Sequence, residues 1–399
     1  MPPDRPDPRT ELGLRRVINV AGTMTALGAA SAVPEAVEAA ARILPEFVEI
    51  ADLQRRASVV IAAACDTEAG VVTACSSAGI TLAVAACLTG PDLAAIERLP
   101  DTTGLTRDEV VIQAGHMVNY GAPVEQAIRL AGARVVPVGS ATHARAYQLA
   151  GALGPRAAAA VYVVSHHCVG YGQIPLPEFV ATCAEANVPV IADVASEYDL
   201  RGFLADGADV AIYSAHKFLG GPTAGIVAGR KDLIRAVWLQ NRGIGRGMKV
   251  GKEGIVGAMA ALEAWAQRDH AAVRGFERDH LEVWLDCLGR LPGLSVAIVP
   301  DPTGNPLDRL QVRVDPDTAG TTAWALAAAL AGADPPVIVR DEELEHGVLE
   351  LDPCNLHPGE AELVAEAVAT TLEAIRGQPS PSLEELRQQA QERLLVWPD

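Results

Sequence analysis

Tyr213-Ser214-Ala215-His216-Lys217-Phe218-Leu219-Gly220-Gly221-Pro222 sits between an apolar run, Ala208 to Tyr213, and a Gly-Gly-Pro turn. The run reads as a short buried strand. The turn reads as a point of close backbone approach. Burial disfavours the ammonium form of a lysine. A lysine at such a junction is therefore expected to use its amine, as a nucleophile that forms a Schiff base with a carbonyl carbon. The competing reading is a surface lysine at a strand end, and the flanking sequence discriminates between the two.

Upstream, Val188-Pro189-Val190-Ile191-Ala192 is a strand that ends on Asp193. A carboxylate just past a buried strand is costly unless it has a partner. A protonated pyridine nitrogen would be one such partner. Further upstream, Val71-Val72-Thr73-Ala74 runs into Cys75-Ser76-Ser77-Ala78-Gly79, which opens an Ala-rich helix. Helix N-termini offer free N–H groups and a favourable dipole to phosphate. Ser76, Ser77, Ala78 and Gly79 are the expected cup, with N-capping by Ser77 as the plainer alternative. A phosphate cup, an aspartate and a lysine, each at a strand end, are expected to converge on one molecule of pyridoxal 5′-phosphate.

The intervening chain supports that convergence. Strand and helix segments alternate from residue 110 to residue 240, which implies a mostly parallel sheet covered by helices. Such sheets bind ligands beyond the C-terminal ends of their strands. His116 follows Val110-Val111-Ile112, and its ring is suited to stacking on a flat cofactor. His166 and His167 end the strand through Tyr162-Val163-Val164, and His216 adjoins Lys217. Arg242, Arg246, Lys249 and Lys252 form a cationic loop broken by glycines, suited to a phosphate or carboxylate. Its Gly-x-Gly-x-Gly pattern lacks the strand-to-helix setting of a dinucleotide fingerprint.

Composition narrows the classes. At 399 residues two domains are expected. The net charge of −18, from 32 Lys+Arg against 50 Asp+Glu, disfavours nucleic acid as a partner. The apolar runs fall short of a bilayer span, and the N-terminal residues do not read as a signal peptide. Seven cysteines without paired spacing suit a reducing cytoplasm and no metal site.

Several segments together resemble a known family. They are Val17-Ile18-Asn19 with Gly22 to Gly28, Ser76 to Ile80, Gly115 to Pro123, Ser165 to Val169, Gly221 to Gly225, and Gly243 to Glu253. The chain resembles the selenocysteine-synthase-like group of fold type I pyridoxal phosphate enzymes, and within it the D-glucosaminate-6-phosphate ammonia-lyase-like members. The resemblance implies an α/β fold: a large domain with a mostly parallel sheet of the seven-stranded type, and a smaller α+β C-terminal domain. It implies Lys217 as the Schiff-base lysine, Asp193 as the pyridinium partner and His116 as the stacked ring. Ser76, Ser77 and Ser214 are the implied phosphate contacts, with Ser196 and His216 beside the cofactor. One of His166 and His167 is expected near its phenolic oxygen. Arg242, Arg246, Lys249 and Arg340 are the expected substrate-binding cations, in part across a subunit boundary. The sequence departs from the lyase-like pattern at Thr23, where an arginine is usual, and at Ser-Ala-His-Lys, where Ser-Gly-Ala-Lys is usual.

The expected reaction is deamination of an amino-acid- or amino-sugar-like amine by elimination. Three alternatives remain open at this level: an oxygen-dependent monooxygenase-decarboxylase acting on a glycyl-nucleoside-like substrate, an aminotransferase or racemase, and a cofactor-binding regulatory protein. The expected organisation is a mobile arm over 1–15, a cofactor-binding domain over 16–265, a small domain over 266–376 and a tail helix within 377–399. The assembly is expected to be a homodimer or a higher homo-oligomer.

Overall fold

A computed structural model describes residues 7–396. The chain divides into two compact units. One spans residues 30–268; the other joins the residues up to Ala29 with those from Asp269 onward.

The first unit is built on a seven-stranded sheet in the order Ala69–Thr73, Gly225–Gly229, Val210–Ser214, Val190–Asp193, Ala157–Val163, Glu109–Gln113, Arg134–Val138. Gly225–Gly229 is antiparallel to both of its neighbours. All the other strand pairs are parallel. The other six strands therefore run in one direction, as the alternation of elements predicts. Five of the seven strands are buried at every position, which fits Val/Ile/Ala-rich runs covered on both faces. The C-terminal ends of the common-direction strands lie along one edge of the sheet. Asp193 is the last residue of its strand, and the residues that follow the others include Ser76, His116, His166 and Lys217. This edge is where the fold gathers the candidate chemistry.

The outer strand Ala69–Thr73 does not leave its backbone bare. The Gln54 amide donates to Val72 O at 2.7 Å and accepts from Val72 N–H at 3.0 Å, while Ser58 Oγ accepts from Gly70 N–H. Side chains of the helix Ile50–Cys65 thus stand in for a neighbouring strand and protect the sheet edge.

The second unit has a three-stranded antiparallel sheet, Leu294–Pro300, Asp308–Val314 and Val348–Leu351. Helices His270–Leu288, Ala323–Gly332 and Glu360–Ile375 share a core with it around Trp284, Leu310, Leu326 and Val364. The Trp284 indole N–H donates to Ala361 O at 2.9 Å, which satisfies its one polar atom inside that core. The strand Ile18–Val20 pairs in parallel with Val337–Val339. This corrects the expectation of a continuous large domain from residue 16. The entering strand is too short to hold a sheet position by itself, and its partner lies more than 300 residues away, which no local pattern reveals.

The arm expected over 1–15 falls partly outside the described residues; Pro8–Glu11 forms one helical turn capped by Asp7. In the tail, Ser382 and Glu385 cap reciprocally and open the helix Leu383–Leu395. Two short helices, Leu93–Arg98 and Ala146–Ala152, were not expected. They hold fewer than about two turns each, too few for an apolar period to register. Among the described residues no helix is long and apolar enough to cross a membrane.

Candidate active site

Lys217 lies in the turn that follows Val210–Ser214. Its N–H donates to Ser214 O at 3.4 Å, and its carbonyl accepts from Gly220 N–H at 2.9 Å. The side chain is half-buried, and its ammonium donates to Ser196 Oγ. Asp193 ends the neighbouring strand, where it pairs with Ile212. The residue is 7% exposed, and its buried Oδ1 has no hydrogen-bond partner. Burial pushes Asp193 up from 3.8 to about 6, against the opposing pull of the Lys217 ammonium and the Ala195 N–H. A buried carboxyl with a bare oxygen, close to a cation that does not neutralise it fully, is prepared for another positive partner.

The phosphate cup differs in detail from its sequence reading. The helix starts at Ser76, and its cap is Cys75, whose Sγ accepts from Ala78 N–H at 3.4 Å. Ser77 is therefore inside the first turn and is not the cap. Gly79 N–H is also committed, to Cys75 O at 3.0 Å. The unspent donors are the N–H groups of Ser76 and Ser77 and the Ser76 hydroxyl, so Ala78 and Gly79 shape the cup without donating to it. A Cβ on Gly79 would sit 3.0 Å from Ile212 Cγ2 and 3.1 Å from Val227 Cγ2. Its missing side chain lets this helix lie close on the sheet.

His116 is buried after the strand Glu109–Gln113. Val163 N–H donates to its Nδ1 at 3.1 Å. A backbone N–H can only donate, so Nδ1 is bare and the ring proton is on Nε2. Burial lowers His116 to about 4, so the imidazole is neutral at physiological pH. The ring meets Tyr162 edge-on, with centroids 4.5 Å apart. His216 Nδ1 is 3.0 Å from Ser214 Oγ, and its Nε2 is buried without a partner. Burial and then the Lys217 charge lower its pKa. His166 and His167 do not extend the strand, which stops at Val163. They lie in the following turn with ring centroids 3.9 Å apart, so the alternation of a strand does not separate them.

The expected substrate cations are not all gathered here. Arg242, Arg246 and Lys249 are exposed on the turns Gln240–Arg242 and Ile244–Met248 and the residue after them. None of the three has an ion-pair partner among the described residues. The Lys252 ammonium instead donates to Glu46 O. Arg340 belongs to the second unit, where its buried guanidinium faces Glu342 at 3.4 Å, Glu350 at 3.6 Å and Asp352 at 4.0 Å.

Tyr120 received no role from the sequence. Its hydroxyl is 3.0 Å from Ser77 Oγ, at the cup. The available signal was an aromatic in an Asn-Tyr-Gly turn just past a strand end, in a chain with only 4% aromatics.

These residues fit pyridoxal phosphate. The bare Asp193 Oδ1 suits a protonated pyridine nitrogen, and the Lys217 amine lies on the next strand's turn. The open first turn of the Ser76 helix suits a phosphate, and the partnerless His216 Nε2 suits a further polar contact.

Comparison with known proteins agrees. The chain is 40% identical to D-glucosaminate-6-phosphate ammonia lyase of Salmonella typhimurium over 354 residues, 89% of this chain and 95% of that protein. It is 36% identical to a 5′-C-glycyluridine monooxygenase-decarboxylase of a Streptomyces species over 371 residues, 92% of this chain and 93% of that protein. A solved D-glucosaminate-6-phosphate ammonia-lyase superposes with a TM-score of 0.84 at 39% identity, covering 92% of this chain and 99% of that one. Residues 17–275 match the L-seryl-tRNA selenium transferase family. The chain belongs to that family and is a fold type I, pyridoxal phosphate-dependent enzyme.

Proposed function

We propose that the protein is a pyridoxal phosphate-dependent ammonia lyase whose substrate is a phosphorylated 2-amino sugar acid of the D-glucosaminate 6-phosphate type. The observation that carries this reading is the adjacency of a bare buried carboxyl oxygen on Asp193 and the Lys217 amine at neighbouring strand ends. The similarity to the Salmonella lyase supports the substrate class.

The cofactor, when bound, supplies an electron sink for the bond broken at the amine-bearing carbon. Asp193 keeps a proton on the pyridine nitrogen and so maintains that sink. The Lys217 amine would be the base that takes the proton from this carbon. Ser196, which holds the ammonium beforehand, keeps the side chain oriented. Ser76, Ser77, Ser214 and His216 anchor the phosphate end. Neutral His116 would present its ring to the cofactor, and His166 or His167 would hold its phenolic oxygen. Arg242, Arg246 and Lys249 are the cations we assign to the anionic groups of the substrate.

The chemistry closes without an oxidant. The proton leaves the amine-bearing carbon, and the hydroxyl on the next carbon departs as water. The enamine so formed takes a proton at that second carbon and gives one up from nitrogen to become an imine, which takes up one water and releases ammonia, leaving a keto acid.

We also propose that the working form is a homodimer in the cytoplasm. Val37, Leu44, Val48 and Ile50 are exposed around a Phe47 that is fully bare, an apolar surface that a second copy of the chain would cover. All seven cysteines are free, as a reducing compartment requires.

The test is turnover with D-glucosaminate 6-phosphate while ammonia and dissolved oxygen are followed together. Ammonia release at constant oxygen is expected. Oxygen consumption with a glycyl nucleoside, and no ammonia from the amino sugar, would sink the reading in favour of the Streptomyces-type reaction.

A further inference from the structure

The loop after His116 is shaped to deliver one side chain. Asn119 Oδ1 accepts from Gly121 N–H at 2.9 Å, Tyr120 N–H donates to Ala122 O at 3.2 Å, and Asn119 bridges to Pro123. Gly121 has φ +108°, a conformation that side-chain-bearing residues rarely adopt, so the turn depends on a glycine there. Between these fixed points stands Tyr120, whose hydroxyl meets Ser77 Oγ at 3.0 Å. Ser77 is one of the two residues of the cup with an uncommitted N–H, and Tyr120 is the partner of its hydroxyl.

From this we infer that Tyr120 is a positioning residue for the cofactor phosphate. Its phenol donates to Ser77 Oγ and so commits the Ser77 hydrogen to the anion. The inference rests on the reading of the Ser76 helix as a phosphate cup. A serine hydroxyl has one hydrogen and can either donate it to a phosphate or spend it on a neighbour. A donor behind Ser77 removes the second choice, and hydrogen bonds in such a chain polarise one another. Burial raises the Tyr120 phenol, and the Ser77 contact only partly offsets this, so the phenol keeps its proton at physiological pH. Hydrogen bonds to charged groups are the stronger class.

The experiment is a double-mutant cycle of Tyr120→Phe and Ser77→Ala, read by the dissociation constants of pyridoxal phosphate and of pyridoxal, which lacks the phosphate. Titration of cofactor absorbance in the full-length protein gives both constants without turnover. Tyr120→Phe is expected to weaken pyridoxal phosphate about 5- to 10-fold and pyridoxal less than about 2-fold, in line with one hydrogen bond in a charge-assisted chain. In the Ser77→Ala background the Tyr120 change is expected to add almost nothing. Equal weakening of both ligands would mean a merely structural role and would overturn the inference. So would full additivity, or no change at all. If the wild-type protein itself does not prefer pyridoxal phosphate to pyridoxal, the cup reading fails first, and the two failures are distinct.

Discussion

Two buried ionic groups, one in each unit, carry similar residues and opposite signatures. In the second unit Arg309 is 4% exposed and binds both Asp301 and Asp352, at 3.1 Å for its Nε to Asp352. Burial would raise Asp301, but Arg309 and Thr303 outweigh it and hold the carboxyl below its ordinary range. Around the strand ends of the first unit Asp193 is buried to a similar degree, yet its carboxyl is pushed up to about 6 with one oxygen bare. The first group is complete within the chain. The second is complete only with a ligand. Burial and charge by themselves do not mark a functional site; an unmet bonding capacity does.

The comparison can be broken at several points. The largest effect is expected from Lys217→Ala, which should abolish both turnover and the covalent cofactor absorbance. A mutant that kept that absorbance would show the wrong lysine has been assigned. Next is Arg309→Met, which leaves Asp301 buried without its cation and Asp352 with only Arg340, 4.0 Å away. A loss of about 3–5 kcal/mol is expected in urea unfolding, the usual cost of removing one partner of a buried pair. A loss under about 1 kcal/mol would place that group with exposed, weakly contributing pairs.

Asp193→Asn should act with the opposite sign in the cofactor-free protein. The folded pKa of Asp193, about 6, lies above its ordinary 3.8, so the folded state favours the protonated carboxyl. Its stabilising effect is full below about pH 3.8, falls as pH rises through 6, and is gone above that. The difference amounts to about 3 kcal/mol. Wild-type apoprotein is therefore expected to lose stability between about pH 3.8 and about pH 6 relative to Asp193→Asn, as measured by denaturant midpoints. The same variant should lose turnover by orders of magnitude, because a neutral amide does not hold the ring proton. Parallel pH profiles for the two proteins would show that Asp193 titrates normally and that the contrast between the two buried groups is false.

Much of the site was legible because its components are local. Lys217, Asp193 and His116 each follow an apolar run of strand length. The Ser76–Gly79 segment reads as a helix start from its composition. The parallel sheet follows from alternation, and the family from short segments in fixed order. What the sequence does not state is how bonding capacity is distributed. Cys75 takes the cap that Ser77 was expected to supply, because the helix begins two residues earlier than a Ser77 cap would place it. Tyr120 and Ser77 are 43 residues apart and meet only through the sheet.

The sequence by itself determined the strand and helix segments, the strand-end positions of the key residues and the family. These depend on periodicity and turn chemistry within a few residues. Tertiary structure decided the proton on His116, the protonation of Asp193, the free donors of the cup and the unit that the entering strand joins. Each of these is set by a long-range neighbour, such as the Val163 N–H that holds His116 Nδ1. The desolvation that moves these pKa values exists only once the chain has folded.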